Sequence, residues 1–276
     1  MKTKNKLLTG LGLHPSAMSS TISMCAKQIF DGGFPSIAGE YLVQAVQLII
    51  LLLIWKSLSG DSGAPGGMEL NQLMTYTLMA TVLHPQLNIV SSATSALWEG
   101  SIIGRFLRPV PVEISFITET IGRKWIPSFF LFGLPVWLIA PLFGIHTGPA
   151  SAVMGIYTLF SLILTASLGF AIDLLFAAFA MNLKNGCFIA LNIRNAIYAL
   201  LSGEMIPFAL FPWDLGSIFS LLPFGSIAHA PLTLYTGGTE QPLLIIGLQI
   251  FWNITLWALA IIIFSKSKER MVSFGG

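Results

Sequence analysis

Six charge-poor stretches, near residues 35–56, 70–90, 125–144, 151–180, 186–206 and 242–264, constrain this chain more than any other feature. A helix needs about 20 largely apolar residues to cross the hydrocarbon core of a bilayer, and each stretch reaches that length. Composition points the same way. Of 276 residues, 54% are hydrophobic and 9% charged, whereas soluble domains carry about 25% charged residues. The pattern predicts an all-α membrane protein with six transmembrane helices. The first stretch includes Glu40, and the fourth is long enough to project beyond the bilayer. Between the third and fourth, "APLFGIHTGPAS" gathers Pro141, Gly144, Gly148 and Pro149, a dense cluster of helix breakers. With no internal repeat and no low-complexity tract, residues 1–276 read as one transmembrane domain. It comprises a cytoplasmic or interfacial segment 1–30, a cytoplasmic segment 91–124 and an outer segment 207–241.

Lysine and arginine placement sets the orientation. Lys2, Lys4 and Lys6 precede the first span, and Arg105, Arg108, Arg123 and Lys124 fall between the second and third. Lys184 lies between the fourth and fifth, and Lys266, Lys268 and Arg270 follow the sixth. With six spans all of these share one side, and the opposite side holds only Lys56. Both termini are therefore expected in the cytoplasm of a multi-pass protein of a bacterial-type cytoplasmic membrane (the inner membrane where there are two). The N-terminal apolar run is short and broken by Gly10, Gly12, His14 and Pro15, which reads as an uncleaved segment.

Several chemistries lack their residues. No G-x-x-x-x-G-K-[ST] loop is present, so any ATP that drives this chain is expected on another polypeptide. His14, His84, His146 and His229 are scattered without metal-ligand spacing, and a packing or polar-contact role is expected for His84. Cys25 and Cys187 read as two isolated thiols. Pairings such as Ser167 with His229 carry no weight in a serine-rich chain. No basic stripe with interleaved aromatics points to nucleic acid. The chain is expected to hold no catalytic residue, metal or cofactor of its own.

Ionisable residues inside spans are expensive and often functional. Asp173 and Arg194 stand roughly 16–18 Å and 12–14 Å from the short turn "MNLKNG" between spans four and five, at 1.5 Å per residue. Arginine's reach covers the difference, so the two are expected to pair in a structural salt bridge that locks a helical hairpin.

Two further segments break the apolar pattern. "SSATSALWEGSIIGRFLRPVPVE", residues 91–113, sets Trp98, Ile102, Ile103, Phe106 and Leu107 beside Glu99, Arg105 and Arg108, a short amphipathic helix ended by Pro109 and Pro111. It can rest in lipid headgroups or dock on a soluble partner. "LLSGEMIPFALFPWDLGSIFSLLPFG", residues 200–225, is interrupted by Pro207, Pro212 and Pro223 and carries Glu204 and Asp214.

The six spans, with "WEGSIIGRFLRPVPVE" after the second and "LLSGEMIPFALFPWDLGSIFSLLPF" after the fifth, resemble the permease subunits of type-2 ATP-binding-cassette (ABC) exporters. The topological likeness covers essentially the whole chain; the sharp motifs cover about fifty residues. The resemblance implies an ATPase-coupling helix made by Trp98, Glu99, Gly100, Arg105, Arg108 and Pro109. It implies an amphipathic interfacial helix within 4–28, containing Lys4, Lys6 and Lys27, as a second ATPase contact. It also implies a re-entrant helical hairpin between spans five and six, with Gly203, Glu204, Pro207, Pro212, Pro223 and Phe224 at an extracellular gate. Glu204 and Asp214 would face the outer vestibule, and Gly203, Gly216 and Gly225 would permit tight turns. Spans two and five would line the seam with a second permease, identical or related. ATP and magnesium would sit on the partner ATPases, and lipid would be the other contact. The alternative is a secondary, ion-coupled carrier, which often shows inverted repeats. An intramembrane enzyme or an assembly factor fits the residues less well.

Overall fold

The computed structural model describes residues 15–28, 31, 33–58, 68–98, 101–107, 110–181 and 187–273, and every regular element among them is helical. In order they are α1 (Pro15–Lys27), α2 (Gly33–Leu58), α3 (Leu70–Leu87), α4 (Ala93–Trp98), α5 (Ile102–Phe106), α6 (Val112–Phe143), α7 (Ala152–Met181), α8 (Cys187–Leu201), α9 (Leu215–Ser220), α10 (His229–Thr236) and α11 (Pro242–Ser273). Among the described residues, four helices are long and apolar enough to cross a membrane: α2, α6, α7 and α11. The chain is thus a multi-pass membrane protein by the length and composition of its helices.

The two other expected spans are shorter or more polar. α3 is helical over 18 residues, but Asn71, Gln72, Thr75, Thr77, Thr81 and His84 dilute its apolar run. It is an interior helix, with Leu73, Tyr76, Leu78, Val82 and Leu87 buried. α8 stops at Leu201 after 15 residues, because Gly203 takes a left-handed φ of +74° that ends a right-handed helix.

α6 begins earlier than expected. Its helix opens at Val112, so residues 112–124 of the segment read as cytoplasmic, 91–124, are the start of a 32-residue helix. Pro127 and Pro135 lie inside it, where a missing N–H and a clash with the carbonyl four residues back would normally break the helix. Each follows a widened turn, over Ile121–Trp125 and Phe129–Gly133, in which the next N–H reaches back five residues, Ile126 to Ile121 and Leu134 to Phe129. The wide turns make room for the rings. α6 ends at the anticipated cluster of breakers, with Gly144 at φ +77°. α1 lies against its first turns, where a Cβ on Gly122 would fall 2.5 Å from the Ile22 carbonyl oxygen.

α7 is the central post, and α11 runs along it. With lipid on the outside, helices are held by close packing and by polar contacts between them. The Gln249 amide of α11 donates to the Ser226 carbonyl (2.7 Å) and to Thr165 Oγ1 (3.2 Å), Asn253 donates to the Leu164 carbonyl (3.1 Å), and Trp257 donates to Ser167 Oγ (2.9 Å).

The broken segment 202–228 lies between the ends of these long helices rather than beyond them. Thr165, roughly 20 Å along α7 at 1.5 Å per residue, donates to the Ile227 carbonyl (2.9 Å), and Trp252 of α11 donates to the Leu221 carbonyl (2.9 Å). From there α10 climbs to the start of α7, where the Ala150 N–H meets the Tyr235 carbonyl at 2.9 Å. Phe208 is the hub of the segment. Its ring contacts Phe211, Phe219 and His229 at centroid distances of 5.9, 5.9 and 4.5 Å. The three glycines expected to permit tight turns surround it. Only Gly203 has a positive φ; Gly216 and Gly225 are small because a Cβ would fall 2.1 Å from the Phe208 oxygen and 2.3 Å from the Phe219 oxygen. Trp213 and Asp214 are left-handed at φ 57° and 55°, a conformation costly for side chains of that bulk.

This packing predicts opposite effects for two glycine substitutions, read as thermal unfolding in detergent. Gly216→Ala drives a methyl into backbone and is expected to cost about 2 kcal/mol or more. Gly247→Ala, in α11 with nothing within 4 Å of the new methyl, is expected to be neutral or stabilising by up to ~1 kcal/mol.

Candidate functional site

The end of α8 delivers a carboxylate into the interior. After Leu201 the chain is held residue by residue: the Ser202 N–H donates to the Tyr198 carbonyl (3.0 Å), the Ser202 carbonyl accepts from the His229 N–H (2.9 Å), and the Gly203 carbonyl accepts from the Tyr76 hydroxyl (2.7 Å). The Glu204 N–H donates to Ser202 Oγ at 3.2 Å. So fixed, Glu204 turns inward and sets Oε1 2.5 Å from His84 Nδ1 of α3. This departs from the expectation that Glu204 faces an outer vestibule: it is buried, 9% exposed, because the chain leaves α8 level with His84. His84 fills the expected polar-contact role, with its ring half open to a cavity.

That cavity, about 420 Å³, lies between α2, α3 and the end of α8. Its wall alternates carboxamides and hydroxyls (Gln44, Gln47, Thr77, Thr81, Asn88, Asn195) with Ile50, Leu51, Ala80, Ala199 and Met205. A second cavity of about 780 Å³ shares Gln44, His84 and Asn88 with it and continues to Gln28, Asp31, Arg123 and Lys124. Together they form a passage along α3, with polar groups set in a largely apolar wall, from Glu204 to the charged start of α6. Water-filled or polar cavities of this kind are where ionisable groups persist within a bilayer.

Asp173 and Arg194, expected to pair directly, do not touch. Each binds the linker between α3 and α4 instead. Asp173 accepts from the Ser91 hydroxyl and, at 3.3 Å, from the Ser91 N–H. Arg194 donates to Asn88 Oδ1 (3.0 Å), to Asn195 Oδ1 (3.1 Å) and to the Ile89 carbonyl. Helical rise gives a height along each helix but leaves open what lies between the two side chains. Segment 88–91 does, offering donors to the acid and acceptors to the arginine, while Gly169 of α7 leaves room for Ile89. The missed signal was Asn88 and Ser91 themselves, polar residues just after Pro85 where α3 ends.

Of the expected coupling residues, Trp98 closes α4, and Glu99, Gly100, Arg108 and Pro109 lie outside the described residues. Arg105 turns inward. It donates to Ser115 Oγ (3.0 Å), Ser92 Oγ (3.3 Å) and Glu119 Oε2 (2.6 Å), and its guanidinium lies 4.5 Å from the centroid of Phe116. It therefore fastens α5 to the first turns of α6 and leaves Ile103 and Leu107 exposed.

The remaining expected gate residues do not converge. Pro207 is buried at the edge of the Phe208 cluster, Pro212 opens the exposed turn of Trp213, and Pro223 and Phe224 are half-buried, with Phe224 packed against the group around Leu168 and Ile172. Only Gly203 and Glu204 join the site. Asp214 is exposed, its carboxylate accepting from Ser217 Oγ at 2.6 Å. No family model, curated protein or solved structure matches the chain.

Because Asp173 and Arg194 act on a shared segment, exchanging the charges cannot restore stability. Asp173→Ala and Arg194→Ala are each expected to cost about 2 kcal/mol or more, and the swapped double variant, Asp173→Arg with Arg194→Asp, at least as much. Thermal unfolding of the four proteins in detergent checks this; recovery in the swapped protein would restore the direct ion pair.

Proposed function

We propose that the chain is the membrane-spanning permease subunit of an ATP-driven ABC exporter, working with separate ATPase subunits and a second permease, identical or related, in a bacterial-type cytoplasmic membrane. The observation that carries the reading is the pair of short helices α4 and α5, with Ala93, Ala96 and Ile102 packed against α7. Arg105 seals the pair from within, while Ile103 and Leu107 turn apolar surface outward at the end of the bundle. Short helices packed on α7 that still turn apolar side chains outward suit a lever that a soluble partner pushes. Its root, residues 88–92, is gripped by Asp173 and Arg194, so movement of α4 reaches α7 and α8 directly.

In this reading the chain crosses six times, with α3 as the second crossing. The fifth is divided: α8 rises from the cytoplasmic side, 202–228 forms a re-entrant break, and α10 completes the passage. Non-helical backbone at membrane depth is tolerated where protein or an aqueous cavity covers it, and the side-chain donors from α3, α7 and α11 supply that cover. Both termini are cytoplasmic, which puts α1 on the inner surface beside the start of α6. The chain itself makes and breaks no covalent bond; ATP and magnesium belong to the partner.

The His84–Glu204 pair favours a second reading, an ion-coupled carrier, since buried acid–base pairs at broken helices also mark coupling-ion sites. Affinity purification of the tagged chain from native membranes in mild detergent separates the two. The exporter reading expects a stoichiometric cassette ATPase, lost in Ile103→Asp and Leu107→Asp variants whose thermal stability is unchanged. A chain recovered alone, even after gentle crosslinking, favours the carrier.

A further inference from the structure

We infer that the cavity at the His84–Glu204 pair is a binding site for an amphipathic organic cation, with the Glu204 carboxylate as its anchor. The inference rests on reading the chain as a transport subunit and names the class of its substrate.

The charge balance of the site leads there. Among the described residues lining the 420 Å³ cavity, Glu204 is the sole acidic side chain and His84 the sole basic one. When His84 carries a proton the pair is neutral; when it does not, a buried carboxylate stands uncompensated. Such a charge is costly unless a cation meets it. Asp31 and Arg123 line the adjoining cavity that His84 also borders, and the remaining charged and titratable groups nearby are engaged elsewhere. Arg194 is held by Asn88, Asn195 and the Ile89 carbonyl, and Lys124 donates to the Val90 carbonyl. The Tyr76 hydroxyl is taken by the Gly203 carbonyl, and the His229 ring lies against Thr233 and Phe208. The Tyr198 phenol, 3% exposed, lines the cavity and lies against Glu204 and Ser202. Its oxygen can accept from an ammonium, while its ring already carries the Arg194 guanidinium 5.9 Å from its centroid.

The rest of the wall describes the rest of the ligand. Ile50, Leu51 and Met205 provide apolar surface for a hydrocarbon body, while Gln44 and Asn88 lead along the shared wall into the wider cavity. A simple inorganic cation would leave that apolar wall unused, and an anion would meet the carboxylate. An ammonium on an apolar frame uses both. It competes with the His84 proton for Glu204, so binding strengthens as pH rises through the titration of His84.

The full chain in lipid nanodiscs tests this with a benzophenone-bearing primary alkylammonium and its neutral hydroxyl analogue. The wild type is expected to bind the ammonium roughly 10- to 100-fold more tightly than the alcohol, the ratio of one charge-assisted hydrogen bond. Light should attach it to peptides containing residues 44–51 or 198–205. Glu204→Gln should erase the preference. His84→Gln should keep it and remove its pH dependence, because the carboxylate is then always available. Equal affinity for the two probes, labelling outside this cavity, a preference that survives Glu204→Gln, or one lost in a folded His84→Gln would each overturn the inference. If a variant fails to fold, the wild-type preference and the labelled position still decide. No ATPase is present, so failure here is distinct from failure to recover an ATPase with the chain.

Discussion

A polypeptide that leaves its helix inside a bilayer must find a partner for the backbone groups it frees. This chain does so through side chains of its intact helices. Tyr76 covers Gly203, Thr165 covers Ile227, Gln249 covers Ser226 and Trp252 covers Leu221, each donating to a carbonyl that an unbroken helix would have satisfied internally. Four donors from three helices thereby hold an irregular segment in one conformation. The position of Glu204 depends on that hold, since its backbone is braced between α3 and α10. The His84 contact, the cavity and the passage beyond it depend on Glu204 in turn.

The linker at 88–92 answers the same need at the other end of α3. Pro85 and Asn88 end the helix, and the released groups are collected by Asp173 and Arg194. Two buried charges that make no direct contact are each held by hydrogen bonds to a neutral segment, which ties three helices and the α4–α5 pair to one short stretch. Arg105 does otherwise: it pairs directly with Glu119 while also donating to Ser92 and Ser115.

Much of this architecture was legible beforehand. Apolar length marked the long helices, Pro141 and Gly144 marked the end of α6, and the prolines of 200–225 marked an interrupted segment. The extension of α6 back to Val112 was missed because Arg123 and Lys124 read as a loop, although wide turns before Pro127 and Pro135 let the helix run on. Two features of the site were also partly visible: His84 as a polar contact, and Glu204 as a carboxylate lipid would not accept. Their meeting was not, because nothing local relates residue 84 to residue 204.

The sequence by itself determined that this is a helical membrane protein and where its helices break, because hydropathy, proline and glycine act within a few residues of themselves. Tertiary structure decided what each buried polar group meets. Asp173 finds Ser91, Arg194 finds Asn88 and Glu204 finds His84 across separations of 82, 106 and 120 residues. Such contacts are set by the side chosen by each helix and the depth at which the chain turns, and both follow from packing the whole bundle.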